Sequence, residues 1–394
     1  MDASGQPISP STPGDASRLL ARRMNAIDSS GIRKIFELGA KLENPINLSI
    51  GQPHYPVPKE MKQAAIEAIE TDCHGYSVTH GIEPLNASVR AHLKHDVGWD
   101  ESANYEILIT SGTSGALILT ALALLDDGDE AIIPDPYFVL YPQLGNITGG
   151  RCVLCDTYPD FLMTAERVEP LITDRTKFVL LNSPSNPVGA VMTKDQIKDL
   201  VALCQSRGVL LISDEIYDEF VFSDATDADG TCPTPARFTE NVLLIRGFGK
   251  TYGCTGWRLG YAAGPPWLIS ELRTLQQYTY VCAPTPLQWG VIPAFEIDVS
   301  KNVAMYQSRR DEVMAALSPK TSIVRPGGAF YAFFEVPKHL GITDVEFVER
   351  AAEERVLLVP GSVFSTRNSH VRLSYAVDQS TLAEGLEIIS RLLS

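Results

Sequence analysis

Residues 241–264 read NVLLIRGFGKTYGCTGWRLGYAAG: an apolar run, a glycine-punctuated loop carrying Lys250 and Arg258, and a second apolar run. A half-exposed strand alternates polar with apolar residues, so runs this continuous are those of strands covered by helices on both faces. Working outward, the same unit recurs as EILIT from Glu106, EAIIP from Glu130, KFVLLN from Lys177 and GVLLIS from Gly208. Helix-periodic stretches lie between them, at 114–125 and 193–207. Strands alternating with helices predict a mainly parallel α/β sheet. The last hundred residues change character, with a helix over 302–317, a strand in AFYAFFEV from Ala329, a helix over 344–355, a strand in HVRLSYA from His370 and a terminal helix from Ser380. That pattern predicts a second, smaller α/β domain. Because the parallel sheet begins only after Pro53, a helix around 18–42 is expected to pack with this C-terminal part. The expected division is a disordered tail over 1–15, a small domain from 16–47 and 291–394, and a large domain over 48–290.

The chain has 394 residues, 44% hydrophobic and 21% charged, which sets wholesale disorder and fibrous classes aside. Lys and Arg total 33 against 48 Asp and Glu, a net charge of -15 that repels phosphate backbones and anionic lipid headgroups. No nucleic-acid partner is expected. The longest apolar run, 116–125, is about half of the roughly 20 residues a bilayer demands, so no membrane span is expected either. The first 15 residues lack a basic start and an apolar core, and the expected location is cytoplasmic. Seven scattered cysteines suit reduced, mostly buried thiols. Cys152 and Cys155 have the spacing of a metal pair, but no second pair accompanies them, alternation puts them on a strand, and no metal is expected. His92 and His95 are expected on a solvent-facing helix, and the acidic stretch 223–230 as a solvated connection.

Parallel sheets bind ligands at the carboxyl ends of their strands, so the residues after each apolar run carry the chemistry. After EILIT comes Ser111-Gly112-Thr113-Ser114-Gly115, a small-residue loop opening a helix, which offers bare N–H groups to a phosphate or is simply a tight turn. No Walker lysine and no GxGxxG accompany it, so a nucleotide need not own the phosphate. After GVLLIS comes Asp214-Glu215-Ile216-Tyr217, and after NVLLIR come Lys250 and Arg258. Burial lowers a lysine's pKa and favours the neutral amine that forms a Schiff base with an aldehyde. Arg258 could grip a phosphate bidentately. Singly, Asp214 could cap a helix, Lys250 could snorkel and Arg258 could pair with a surface acid. Together they meet the three demands of pyridoxal 5′-phosphate: a partner for the pyridine nitrogen, an amine for the aldehyde and a cation for the phosphate.

With NSPSNPVG at 182–189 and SDEIY at 213–217, the loop GFGK at 247–250 running to Gly260 resembles the class I/II aminotransferases of the fold type I pyridoxal-phosphate superfamily. The resemblance runs from about Gly31 to the C-terminus. It implies a seven-stranded, mainly parallel sheet in a large cofactor domain, and amino-group transfer from an L-amino acid to a 2-oxo acid, 2-oxoglutarate among them, by a ping-pong route. Lys250 would hold the cofactor and carry the substrate's Cα proton. Asp214 would pair with the pyridine nitrogen, Tyr217 and Asn186 would donate to the 3′ oxygen, and Phe138 would stack on the ring. The phosphate would meet Arg258 and the loop Ser111, Gly112 and Thr113, together with Tyr76 from a neighbouring subunit. An isologous homodimer with shared sites follows. Arg372 would fork onto the substrate α-carboxylate, and Gly51 would allow it close approach.

Three positions depart from the family pattern. Gly247 stands where many relatives carry Ser, Gly249 where Ser or Ala is frequent, and Ser114 where some aspartate-using relatives place a Lys. The last favours broad or neutral donors, with strict aspartate use as the alternative and Arg33, His54, Tyr55 and His80 as residues that could border the pocket. An eliminating lyase is the other alternative, since the same constellation serves both. A ligand-sensing regulator would need an added DNA-binding domain, which an acidic chain with a short Ser/Pro-rich tail does not offer.

Overall fold

A computed structural model describes residues 19–27, 31, 39 and 42–394. The tail 1–15 and Arg33 lie outside the described residues, as does most of the helix expected over 18–42. What is described there is a 3-10 turn, Arg22–Ala26, which bonds to the helix Tyr141–Thr148 through Arg23 and Asn146 rather than to the C-terminal part. Gly31 and Gly39, by contrast, face Val363 and Leu357.

The central sheet has seven strands, β2 (Glu106–Thr110), β3 (Glu130–Asp135), β4 (Arg151–Asp156), β5 (Thr176–Asn182), β6 (Leu210–Asp214), β7 (Val242–Gly247) and β8 (Gly260–Gly264). Their order is β2-β8-β7-β6-β5-β3-β4, and β8 alone runs antiparallel to its neighbours. Each apolar run read from the sequence becomes one of these strands. Helices cover both faces, which is why the strands need no polar side: Leu108, Ile133, Leu180 and Ile245 face one buried cluster, and Ile109, Ile132, Val179 and Leu244 face another. The helix α3 (Gly112–Leu124) is apolar nearly all round because it packs between the sheet and the helix Pro266–Thr279. The helix Lys194–Arg207 begins with a Thr193/Gln196 capping box and ends at Gly208 with φ 66, so both its limits are written locally.

A smaller antiparallel sheet, β9 (Tyr331–Glu335) with β12 (His370–Ser374) and β11 (Val359–Pro360), has its own core with the helices Ser300–Leu317, Asp344–Glu353 and Gln379–Leu392. β1 (Ile46–Asn47) pairs parallel with β10 (Val356–Leu357) in a separate two-stranded sheet, and Ile46, Val356 and Leu357 pack into the same core. Val291, Ala294 and Val299 pack into the core of the large sheet instead.

Beneath the carboxyl ends of β6 and β7 lies a buried ionic network. Arg246 donates to Glu215 at 2.9 and 3.0 Å and to Asp96 at 2.6 Å, and Glu215 also accepts from Ser213 and Thr234. Removing one member of such a buried network typically costs about 3–5 kcal/mol, so these two strand ends are held in register. His92 belongs to this network: it is half-buried against Phe295 and Arg246, not solvent-facing, and burial lowers its pKa to about 4. The stretch 223–230 is likewise more than a solvated connection, since Asp224 pairs with Arg310 and Arg325 and Asp229 with Arg237. Cys152 and Cys155 sit on opposite faces of β4, one in each of the two cores, a geometry that cannot ligate a single ion.

Candidate active site

A cavity of about 400 Å³ opens where the carboxyl ends of the parallel strands meet the N-terminus of α3. Lys250 reaches it from the single helical turn Phe248–Thr251 that follows β7, and its Nζ donates to the Gly51 carbonyl. Burial lowers the Lys250 pKa to about 8, and the charges of Arg372 and Arg258 push the same way. Asp214 ends β6, fully buried. Its Oδ2 accepts from the Tyr141 hydroxyl at 2.8 Å, while burial raises the carboxyl to about 6. Asn182, the last residue of β5, donates to the Asp214 carbonyl at 2.8 Å and accepts from the Asn186 N–H at 2.9 Å, so the 182–189 loop is fastened to the strand that carries the acid.

At the other end, Arg258 adopts a left-handed conformation, φ 54 and ψ 49, and donates to the Thr255 carbonyl at 3.0 Å. A side-chain residue in that region is strained, and strain of this kind concentrates at ligand clamps. Its guanidinium lies against Gly112, where an added Cβ would stand 2.5 Å from Nη2, and Gly112 itself has φ 68. Only glycine fits there. Gly247 also has its space filled: a Cβ added to it would stand 2.8 Å from Ile216 Cδ1 and 3.0 Å from Thr113 Cγ2, so a serine there would have to displace the ends of these two side chains.

Arg372 is buried between two rings, its Cζ 4.7 Å from the Tyr331 centroid and 4.6 Å from that of Phe364. It donates to Asn186 Oδ1 at 3.1 Å and to the Ser49 carbonyl at 2.8 Å, and its Nε has no partner. A buried guanidinium without a carboxylate is an anion site in waiting.

Lys250, Asp214, Tyr217, Asn186, Phe138, Gly112, Thr113, Arg258, Gly51 and Arg372 therefore share one cavity. Ser111 does not line it. It stands at the N-cap of α3, and Ser114, one turn further on, takes the cavity face instead. Tyr76 lies outside this chain's cavity too and is 88% exposed. Of the residues expected near the pocket, His54 sits against Tyr306 and Arg309, Tyr55 donates to the Thr251 carbonyl, and His80 lines a separate surface depression. Two phenols escaped the sequence reading: Tyr141, held to Asp214, and Tyr331, whose hydroxyl lies 2.9 Å from that of Tyr217.

An α/β fold of this topology, with an amine of lowered pKa, a buried acid and two arginines facing one cavity, defines an enzyme that handles anionic carbonyl chemistry. The family model "Aminotransferase class I and II" matches residues 43–389, and the chain belongs to this family. It is 34% identical over 384 residues to a probable aspartate aminotransferase of Methanocaldococcus jannaschii, covering 95% of this chain and 100% of that one. It is 32% identical to aromatic-amino-acid aminotransferase 2 of Thermococcus litoralis, over 95% and 98% of the two chains. The solved aspartate aminotransferase of Thermus thermophilus with maleate superposes with a TM-score of 0.88 at 32% identity, over 95% and 99%. The protein is thus an aminotransferase, acting on amino acids and oxo acids, and its family implies pyridoxal phosphate. Among the described residues no helix is long and apolar enough to cross a membrane.

Proposed function

We propose that this cavity binds pyridoxal 5′-phosphate through Lys250 and passes the amino group of an L-amino acid to 2-oxoglutarate in two half-reactions. The observation that carries the reading is the meeting of the Lys250 amine, the Asp214 carboxylate and the Arg258 guanidinium in one cavity. The chain's own atoms fit such a cofactor. Gly112 and Arg258 form a cradle that a Cβ would fill, Asp214 presents a carboxylate held from behind by Tyr141, and Lys250 is the amine between them.

When bound, the cofactor supplies an electron sink that loosens the substrate's Cα proton. Lys250 Nζ is the base that would accept that proton and give it back. Asp214 would keep a proton on the ring nitrogen, Tyr217 and Asn186 would donate to the 3′ oxygen, Phe138 would cover the ring, and Arg258 with the Gly112 and Thr113 N–H groups would neutralise the phosphate. Arg372 Nε and Nη hold the α-carboxylate, with Gly51 opposite. The remaining described residues of the cavity wall, among them Gln52, Ser114 and Thr255, are uncharged, which supports neutral or broad donors over strict aspartate use. The test is consumption of 2-oxoglutarate with single amino donors. A kcat/KM for aspartate a hundredfold above every neutral donor, about 2.7 kcal/mol, contradicts the donor reading. Release of ammonia, an oxo acid and the side-chain leaving group from a β- or γ-substituted donor, with no amino transfer to any acceptor, marks an eliminating lyase instead.

Attachment requires the neutral amine. With the Lys250 pKa at about 8, the neutral fraction rises as pH rises towards 8 and levels above it. The rate at which cofactor-free protein takes up pyridoxal phosphate is therefore expected to climb about tenfold between pH 6 and 7 and to flatten beyond pH 8. A lysine at its ordinary value would still be accelerating at pH 9.

We also place the enzyme in a homodimer and in a reducing compartment, the cytoplasm, with domain limits near residue 48 and, because Val291, Ala294 and Val299 belong to the large core, near residue 300 instead of 290. All seven cysteines are free thiols, and Tyr76, Val78 and Tyr278 are each large, apolar and exposed, Tyr278 by 86%. If Tyr76 serves the neighbouring site, mixing Tyr76→Ala and Lys250→Ala proteins regenerates one intact site per heterodimer. About a quarter of wild-type activity is expected after full subunit exchange. No recovery after verified exchange contradicts the shared site.

A further inference from the structure

Tyr331 belongs to none of the cofactor-family motifs read from the sequence, yet it is fully buried at the start of β9 and touches both halves of the cavity. Its hydroxyl lies 2.9 Å from the Tyr217 hydroxyl, with the two rings perpendicular. Its ring face carries the Arg372 guanidinium at 4.7 Å. The same hydroxyl would stand 3.2 Å from a Cβ at Gly51, the residue whose carbonyl accepts from Lys250.

We infer that Tyr331 is a positioning residue that donates its hydroxyl hydrogen to Tyr217 and carries Arg372 on its ring, tying the grip on the substrate carboxylate to the group facing the cofactor's 3′ oxygen. The inference rests on the proposed cofactor site. Its direction follows from counting hydrogens. A phenol has one, so if that of Tyr217 points at the 3′ oxygen, the Tyr217 oxygen accepts in the 2.9 Å contact and Tyr331 is the donor. Electrostatics favours the same direction. Arg372 opposes the upward push of burial on both phenols, but Tyr217 is raised further than Tyr331, whose ring carries the guanidinium, and the more acidic hydroxyl is the better donor. Two hydroxyls in series polarise one another, so the donation from Tyr217 is strengthened from behind. When a substrate carboxylate pairs with Arg372, that positive charge is neutralised and Tyr331 becomes the weaker donor, so carboxylate binding is communicated to the 3′ oxygen through Tyr331 and Tyr217, beside the route through the Arg372–Asn186 hydrogen bond.

The holoenzyme tests this through the pH midpoint of its visible cofactor band, read alone and with saturating 3-phenylpropionate, a carboxylate with no amine to react. Tyr331→Phe keeps the ring under Arg372 and loses only the hydroxyl; Tyr331→Leu loses both. Weaker donation to the 3′ oxygen disfavours its anion, so Tyr331→Phe is expected to raise the midpoint three- to tenfold in proton affinity, leave the Kd for 3-phenylpropionate within threefold, and shrink the shift that ligand produces. Tyr331→Leu is expected to raise the midpoint similarly and to weaken the ligand tenfold or more. In a Tyr217→Phe background, Tyr331→Phe should move the midpoint no further. An unmoved midpoint in Tyr331→Phe, or an equal shift in the Tyr217→Phe background, overturns the inference while leaving the cofactor site standing. No visible band in the unsubstituted protein with added pyridoxal phosphate removes the cofactor reading, and this inference with it.

Discussion

Lys250→Ala is expected to abolish the visible band formed with pyridoxal phosphate and to lower amino transfer by about four orders of magnitude or more, since both the covalent anchor and the proton carrier are lost. The position is singled out physically. Every other lysine among the described residues is exposed, whereas Lys250 is held inside the cavity, bonded to the Gly51 carbonyl, with its pKa lowered to about 8 by burial and two arginines. Its strand, β7, is anchored one turn earlier by Arg246, so the alanine variant should keep its fold. A small primary amine added to the medium should restore part of the proton transfer but none of the band position typical of the lysine-bound form. A Lys250→Ala protein that retained a covalently held cofactor would refute the assignment.

Asp214→Ala and Arg372→Leu are expected to fail in different ways. Asp214 faces the cofactor only, so its loss should depress kcat by about a hundredfold or more even with cofactor saturating, while KM for the donor moves little. Arg372 is assigned to the substrate carboxylate, and its loss should raise KM and lower kcat/KM by an amount equivalent to roughly 2 to 5 kcal/mol. The cofactor band of Arg372→Leu should persist. Steady-state kinetics on both variants checks the split, and indistinguishable defects would contradict these roles.

Six of the seven strands of the large sheet and the loops after them were legible because a strand buried on both faces announces itself as an unbroken apolar run, and ligands gather where such runs end; β4, half-exposed, showed only as an alternating stretch. Asp214 closes β6, Lys250 stands just beyond β7, and Arg258 stands just before β8. The two phenols were not legible. Tyr331 lies within AFYAFFEV, whose aromatics read alike as core, and only the pairing of β9 with β12 brings it under Arg372. Tyr141 comes three residues after Phe138, and its bond to Asp214 spans 73 residues of sequence, a contact no local pattern encodes. Ser111 and Ser114 illustrate the limit of motif reading at a helix start. Both are small and polar, and a rotation of one turn decides which faces the cavity. His92 departs from its expected place for a related reason, since its helix face reads as polar until Arg246 and the acids around it supply a buried polar environment.

The most direct measurement is borohydride reduction of the protein loaded with pyridoxal phosphate, followed by digestion and mass spectrometry of the modified peptide. The account predicts one stable adduct per chain, carried by Lys250, and its loss when an excess of amino donor is added before reduction. An adduct on another lysine, or none at all while amino transfer proceeds, would contradict it.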